Sequence, residues 1–493
     1  MKNKYLISLG VSLLFLSCAE DKGNYTYTHI DEITIDSIKN NYTKVVGDSL
    51  SIPVTLTHSA VNKSENLSYL WEINNQKVAE TKDLNILTPS DMSFGNKIAR
   101  YTITDNNNGM KFYKTFSVNI VSPFNWGYYI LTEKEDHSTR LYYFSVMDNN
   151  TKFIYTTSVN GIEFGNYPQM IKGSFGYISS LEDYFWSINI LTKEGDNPVI
   201  MTENATFIPT ATVNSSNFTD QSVGYTFAPE FVQNNRQGNV FFVSQGKFVS
   251  YTKGLLYRPA QHKKEYYWSY PIWSQAGYPH MFVFDELSQK YYVIKSQPNV
   301  PEEGIIGDSY AYDRVVEIKN CPDFSGQTII GNYAEFADGK DYITVVTANT
   351  NGIDLTKLSY ISASEDGNLE SKTTLSATGA DNDSQAIIVT KTWYFSVGNA
   401  IYTSPILLPT LSKFIDIPTE YGKIVNIQKS ALESQLIVTT YDKNSSSELK
   451  GSVIFIDIQT KKMTAYTNVI DKCISIMSCN SDGFGWGDYG DGK

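Results

Sequence analysis

Apolar and polar residues alternate in short runs from Ile30 onward: DEITIDSI, SLSIPVTLTH, LSYLWEIN, KIARYTITDNNNG and KFYKTFSVNIV. A period of two is that of a strand with one face buried. Runs this short, with turn residues between them, predict a β-sandwich over residues 30–122. Pro123-Phe124-Asn125 marks a boundary, and beyond it the pattern changes. Strand-like runs return in pairs or triplets every ~45–60 residues, the spacing of a repeated sheet. Examples are WGYYILT with RLYYFSV and KFIYTTS, NVFFVSQGKFVSYT, HMFVFDELSQKYYVIKS and GSVIFIDIQTKKMTAYT. About seven such clusters predict an all-β chain whose second domain, residues 123–493, is a seven-bladed β-propeller. Six or eight blades fit the spacing nearly as well. The competing layout is two further sandwiches; near-equal spacing and the lack of a second linker favour the propeller.

One apolar run departs from this pattern. Lys2 and Lys4 precede the stretch from Tyr5 to Leu16, and Ser17 stands before Cys18. A positive flank, a short apolar core and a small residue at the cut make a secretory signal. The run falls short of the ~20 residues that span a bilayer. Phe15-Leu16-Ser17-Cys18 resembles a bacterial lipobox, although Leu is commoner where Phe15 stands. Residues 1–17 are then a lipoprotein signal peptide, Cys18 the lipidated first residue, and 18–29 a polar tether. Ala19-Glu20-Asp21 resembles the surface-export signal of Bacteroides-type lipoproteins. That resemblance implies a protein anchored in the outer membrane by its acyl chains and facing the cell exterior.

Composition sharpens the picture in two places. The formal charge of −12 becomes −14 once Lys2 and Lys4 are removed, which argues against a nucleic-acid partner. Tyr (35), Phe (25) and Trp (7) are abundant while charged residues are only 19%, as expected of an all-β chain. Besides Cys18, the cysteines are Cys321, Cys473 and Cys479. Cys473 and Cys479 lie in CISIMSC, which alternates like a strand; its ends lie ~20 Å apart, too far for a disulfide. No cysteine spacing suggests zinc.

The sandwich carries a family resemblance. Tyr69-Leu70-Trp71 and Tyr101-Thr102-Ile103-Thr104-Asp105 resemble the paired core motifs of PKD domains, an immunoglobulin-like family. Asp21-Lys22-Gly23-Asn24-Tyr25-Thr26-Tyr27 is similar to the opening of PKD-like lipoproteins of Bacteroides. The resemblance covers about the first 120 residues. It implies an accessory role beside a SusC/SusD-like importer, with the importer and other surface lipoproteins as partners. There the protein would bind oligosaccharide or peptide nutrients, dock on the transporter, or both.

Candidate chemistry is sparse. The histidines, His29, His58, His137, His262 and His280, form no metal-ligand spacing, and no nucleophile motif, phosphate loop or dinucleotide loop occurs. The chain therefore reads as a non-enzyme. The alternative is a surface glycoside hydrolase or lyase, which needs only two carboxylates. Ser364-Glu365-Asp366-Gly367 and Ser481-Asp482-Gly483 both depart from the Asp-box of sialidase propellers. The densest aromatic segment is HKKEYYWSYPIWSQAGYPH, residues 262–280. Tyr266, Tyr267, Trp268, Tyr270, Trp273 and Tyr278 are the candidate ligand-binding residues, because sugar C–H faces stack on exposed rings. The competing explanation is packing between blades. No cofactor is expected. Asp482, Asp488 and Asp491 of the Gly-rich tail offer hard oxygens for calcium, but a solvated tail explains them as well. Asp105-Asn106-Asn107-Asn108-Gly109 is first of all a turn.

Overall fold

The computed structural model describes residues 31–45, 49–60, 65–88, 95–121, 124, 127–145, 153–178, 183–203, 207–219, 225–234, 240–252, 254–257, 264–273, 280–297, 311–430 and 433–479. Cys18 and the acidic tail residues Asp482, Asp488 and Asp491 lie outside this set. The chain forms two compact units, Met1–Val121 and Ser122–Lys493, and the described residues are almost wholly strand and turn.

In the first unit a five-stranded sheet, with Lys111–Val121, Gly95–Asp105 and Leu67–Ile73 at its centre, accompanies two short two-stranded sheets. Along Gly95–Asp105 every second residue is buried, from Lys97 to Asp105, so the strand turns one side to the core. Trp71 and Tyr101 stand directly opposite each other on neighbouring strands, with ring centres 4.2 Å apart. Both are almost fully buried among Leu50, Ile103 and Val118. The Trp71 indole N–H donates to the Thr81 carbonyl at 2.8 Å, which satisfies its polar end. Asp105 closes the Asn-rich turn: its carboxylate accepts from the Asn107 backbone N–H and the Asn108 amide, both at 2.9 Å. Turn groups thus occupy both carboxylate oxygens.

The second unit holds seven four-stranded antiparallel sheets among the described residues. Their first strands are Lys472–Cys479, Asn166–Ile178, Pro229–Asn234, Trp268–Trp273, Thr328–Ala337, Gln385–Val389 and Lys423–Lys429, for blades 1 to 7 in turn. Each first strand neighbours the first strands of the blades on either side, and the series returns to its start. Hydrophobic clusters fill all seven junctions. Tyr129, Leu131, Ile171 and Ile188 lie between blades 1 and 2; Tyr128, Ile130, Ile437 and Val453 lie between 7 and 1. The same packing buries both sides of a strand. In WGYYILT, Tyr128 and Ile130 face one neighbouring blade while Tyr129 and Leu131 face the other, so neither side of the strand meets water. The architecture is an immunoglobulin-like sandwich followed by a seven-bladed propeller.

Blade 1 joins the two ends of the ring. Its inner strand, Lys472–Cys479, comes from the far end of the chain and pairs with Gly127–Glu133. Polar pegs fix this strand to both neighbours. Ser478 Oγ donates to the Lys429 carbonyl at 3.2 Å, and the Asn426 amide donates to the Ile474 carbonyl at 3.3 Å. On the other side, Ser475 Oγ meets the Ile171 backbone.

Cys473 is buried on that strand and Cys321 between blades 4 and 5, both as free thiols. Burial pushes the Cys321 thiol up to about 11 and the Cys473 thiol up to about 12. Because the thiolate is the reactive form, a maleimide at pH 7 is expected to leave both unlabelled in the folded chain and to label both in urea. Peptide mass spectrometry reads the outcome.

Candidate functional site

On one face of the ring the inner strands begin, and short turns join the second strand of each blade to the third. The aromatic segment arrives on this face, just ahead of the inner strand of blade 4. Its approach is clamped through the backbone. The Tyr267 N–H donates to Asp285 Oδ1 at 2.9 Å, and the Tyr267 carbonyl accepts from the Glu286 N–H at 2.8 Å. The Trp268 N–H donates to the Gly246 carbonyl of blade 3 at 2.7 Å. Asp285 is itself buried and held by Ser288, whose hydroxyl donates to Oδ2 at 2.6 Å. The sequence Asp-x-x-Ser-x-Lys makes this turn, and Asp457 repeats it through Thr460 in blade 7.

The clamp gives adjacent aromatic residues different fates. Trp268 turns inward, 2% exposed, and packs with Phe241, Met281 and Ile294 between blades 3 and 4. Tyr266 stacks on Trp268 with ring centres 4.4 Å apart. Lys264 Nζ lies 5.0 Å from the Tyr266 ring centre and 3.2 Å from the Tyr292 hydroxyl. Tyr270 is half-buried against Phe231 and Phe284. Trp273 ends the inner strand; its side chain, like Tyr278, lies outside the described residues. Four of the six rings are therefore placed, and three of those four pack within the blades.

Tyr267 differs from them. It is 38% exposed, and it rests on the turn of blade 3. A Cβ built on Gly246 would lie 2.4 Å from Tyr267 Cγ and 2.5 and 2.7 Å from the two Cδ atoms, so the glycine backbone backs the ring. Gly246 also has φ +70°, a conformation that favours glycine. Around the ring stand Glu230, which pairs with Lys193 at 3.4 Å, and Glu286, which accepts from Ser269 Oγ at 2.7 Å. Partial burial, then the Glu230 carboxylate, push the Tyr267 hydroxyl above its ordinary pKa against the pull of Lys193. At neutral pH it remains a phenol, able to donate. The site is thus a ring backed on one side, with a hydroxyl donor, two carboxylates and an ammonium nearby.

Residues 18–168 match the PKD-like family. The match takes in the sandwich and continues into blade 1 as far as the start of blade 2. No curated protein matches the chain. Solved structures similar to it include a quinonprotein alcohol dehydrogenase-like protein from Bacteroides thetaiotaomicron, 14% identical, with TM-score 0.41, covering 92% of this chain and 98% of that one. A variant of the Synechocystis apocarotenoid oxygenase is 8% identical, with TM-score 0.38 and coverage of 84% and 92%. The extracellular domain of a one-component system from B. thetaiotaomicron is 9% identical, with TM-score 0.35 and coverage of 83% and 53%. These values transfer no activity and no ligand.

Sequence spacing hid several participants. Gly246, Glu230 and Lys193 lie on blades 2 and 3, far along the chain from Tyr267. His280 also gains a partner that no local motif announces: its Nε2 lies 3.0 Å from Asp341 Oδ2, between blades 4 and 5. Both side chains are buried, and the imidazole meets the edge of Tyr360 at 5.0 Å. Among the described residues no group of three metal-ligating side chains comes together, and no helix is long and apolar enough to cross a membrane.

Proposed function

We propose that this chain is a surface lipoprotein, anchored through Cys18, that holds an oligosaccharide against Tyr267 and serves a SusC/SusD-like importer. The exposed ring backed by Gly246 carries the reading. A sugar presents a C–H face to such a ring and hydroxyls to the acids and amine around it. The Gly246 backbone against one face of Tyr267 limits the freedom of the ring before binding, which favours recognition.

Titration calorimetry of residues 19–493 against glycan and peptide panels tests the reading. Saturable binding of a glycan is expected. Binding of peptides alone would replace the ligand class, and silence across both panels would remove ligand capture altogether. Gly246→Ala should weaken glycan binding at least tenfold, because its methyl group displaces the Tyr267 ring. The anchor has its own test. Cys18→Ser should move the protein from the membrane fraction to the soluble fraction, since stable attachment needs the acyl chains.

A further inference from the structure

At four blade entries among the described residues the chain is docked in the same way. It reaches the blade across the turn between the second and third strands of the preceding blade, and a backbone N–H donates to a carbonyl of that turn. Tyr167 donates to His137 at 2.9 Å, Trp268 to Gly246 at 2.7 Å, Phe324 to Gln289 at 3.0 Å and Ile417 to Asn399 at 2.7 Å. In three of these the docked side chain fills a blade junction: Trp268, Phe324 and Ile417 are each 2% exposed or less. Tyr167, entering blade 2, is 36% exposed. Tyr129, Ile171, Ile188 and Phe207 fill the junction between blades 1 and 2 without it.

The Tyr167 ring is nonetheless held in place. The His137 imidazole stacks on it, with ring centres 4.6 Å apart and planes inclined by 20°. His137 Nδ1 lies 3.0 Å from Glu133 Oε1, and Glu133 Oε2 lies 3.9 Å from Lys472 Nζ. His137 and Tyr167 both have left-handed backbones, with φ +64° and +54°, a region that bulky side chains seldom adopt. Pairing with the second strand of blade 2 then shifts register between Pro168 and Met170, an irregularity of the kind that re-aims a side chain. Backbone strain, a bulge and a stacked partner thus maintain a ring that the blade junction does not use.

The arrangement parallels that of Tyr267. Each ring stands where the chain enters a blade, on the same face of the propeller, and rests on the turn of the preceding blade. Gly246 backs Tyr267, and the His137 imidazole backs Tyr167. A carboxylate and an ammonium accompany each: Glu230 with Lys193, and Glu133 with Lys472.

We propose that Tyr167, backed by His137, is a second sugar-stacking position on the face that carries Tyr267. The ligand class rests on the oligosaccharide reading of Tyr267. The C–H face of a pyranose covers the side of the Tyr167 ring away from His137, and its hydroxyls face Glu133 and Lys472.

Tyrosine nitration by tetranitromethane, read by peptide mass spectrometry, tests the position. The mature chain is treated with and without cellohexaose, mannohexaose or galactohexaose, and Tyr113, 70% exposed in the sandwich, serves as control. At least one hexasaccharide is expected to cut nitration of Tyr167 several-fold and to leave that of Tyr113 unchanged. His137→Phe, which keeps a ring to stack on, should retain the protection, and His137→Ala should lose most of it. Full protection in His137→Ala would overturn the backing by His137. Protection of Tyr267 without Tyr167 would overturn the second position and leave the first. Protection of Tyr167 without Tyr267 would support the second and remove the first, and protection of neither would overturn both.

Discussion

Ending the chain before Lys472 will prevent the ring from closing. The missing strand is the innermost of blade 1 and the partner of Gly127–Glu133. Its loss removes Cys473 and Ile476 from the 7/1 junction and Met477 from the 1/2 junction, opening two neighbouring cores together. It also exposes the edge of an apolar strand, a template for aggregation. The expected result is a chain whose propeller fails to accumulate in soluble form. Moving residues 471–479 to a position just ahead of Gly127 should restore folding, because the ring then closes with the same strand on a different connection. Solubility and near-ultraviolet circular dichroism measure both. A soluble truncated chain with native dichroism would show that the seven-blade closure is wrongly assigned.

The second large effect is expected at Asp341. Its carboxylate and the His280 imidazole, 3.0 Å apart, are nearly inaccessible to solvent, in a wedge of Phe282, Tyr360 and Ile343. Removing one partner takes a hydrogen bond from a buried polar group, at a cost of about 1–3 kcal/mol. Asp341→Ala should therefore shift the urea midpoint of the propeller strongly downward, and Asp341→Asn, which keeps an acceptor, should do so less. Replacing both residues with leucine should recover much of the loss, because apolar side chains suit the surrounding wedge. A loss below about 1 kcal/mol for Asp341→Ala would indicate that the pair contributes little.

The sequence revealed strands more readily than partners. Alternation along Gly95–Asp105 and the continuous runs such as Val240–Ser244 follow from burial on one face or on two, and both are local signals. Closure is not local. CISIMSC reads as a strand, but nothing in it names WGYYILT, some 350 residues earlier, as its partner. Only the register of the whole ring brings them together. The aromatic segment shows the same divide. Its density singles out a stretch in which Tyr267 and Trp268 are adjacent and identical in promise. The strand begins at Trp268, so that ring enters the blade junction while Tyr267 stays on the turn of blade 3. The deciding residue, Gly246, belongs to another blade. The His280–Asp341 pair was hidden for the same reason, its members being 61 residues apart.

The central claim is that an exposed, glycine-backed ring holds a sugar at the face of the propeller. Its most direct test is calorimetric titration of residues 19–493 and of the Tyr267→Ala variant with the same oligosaccharide, alongside their melting curves. The account predicts binding in the first, loss of at least tenfold in affinity in the second, and equal Tm. Equal affinity in the two proteins would place the ligand elsewhere and contradict the account.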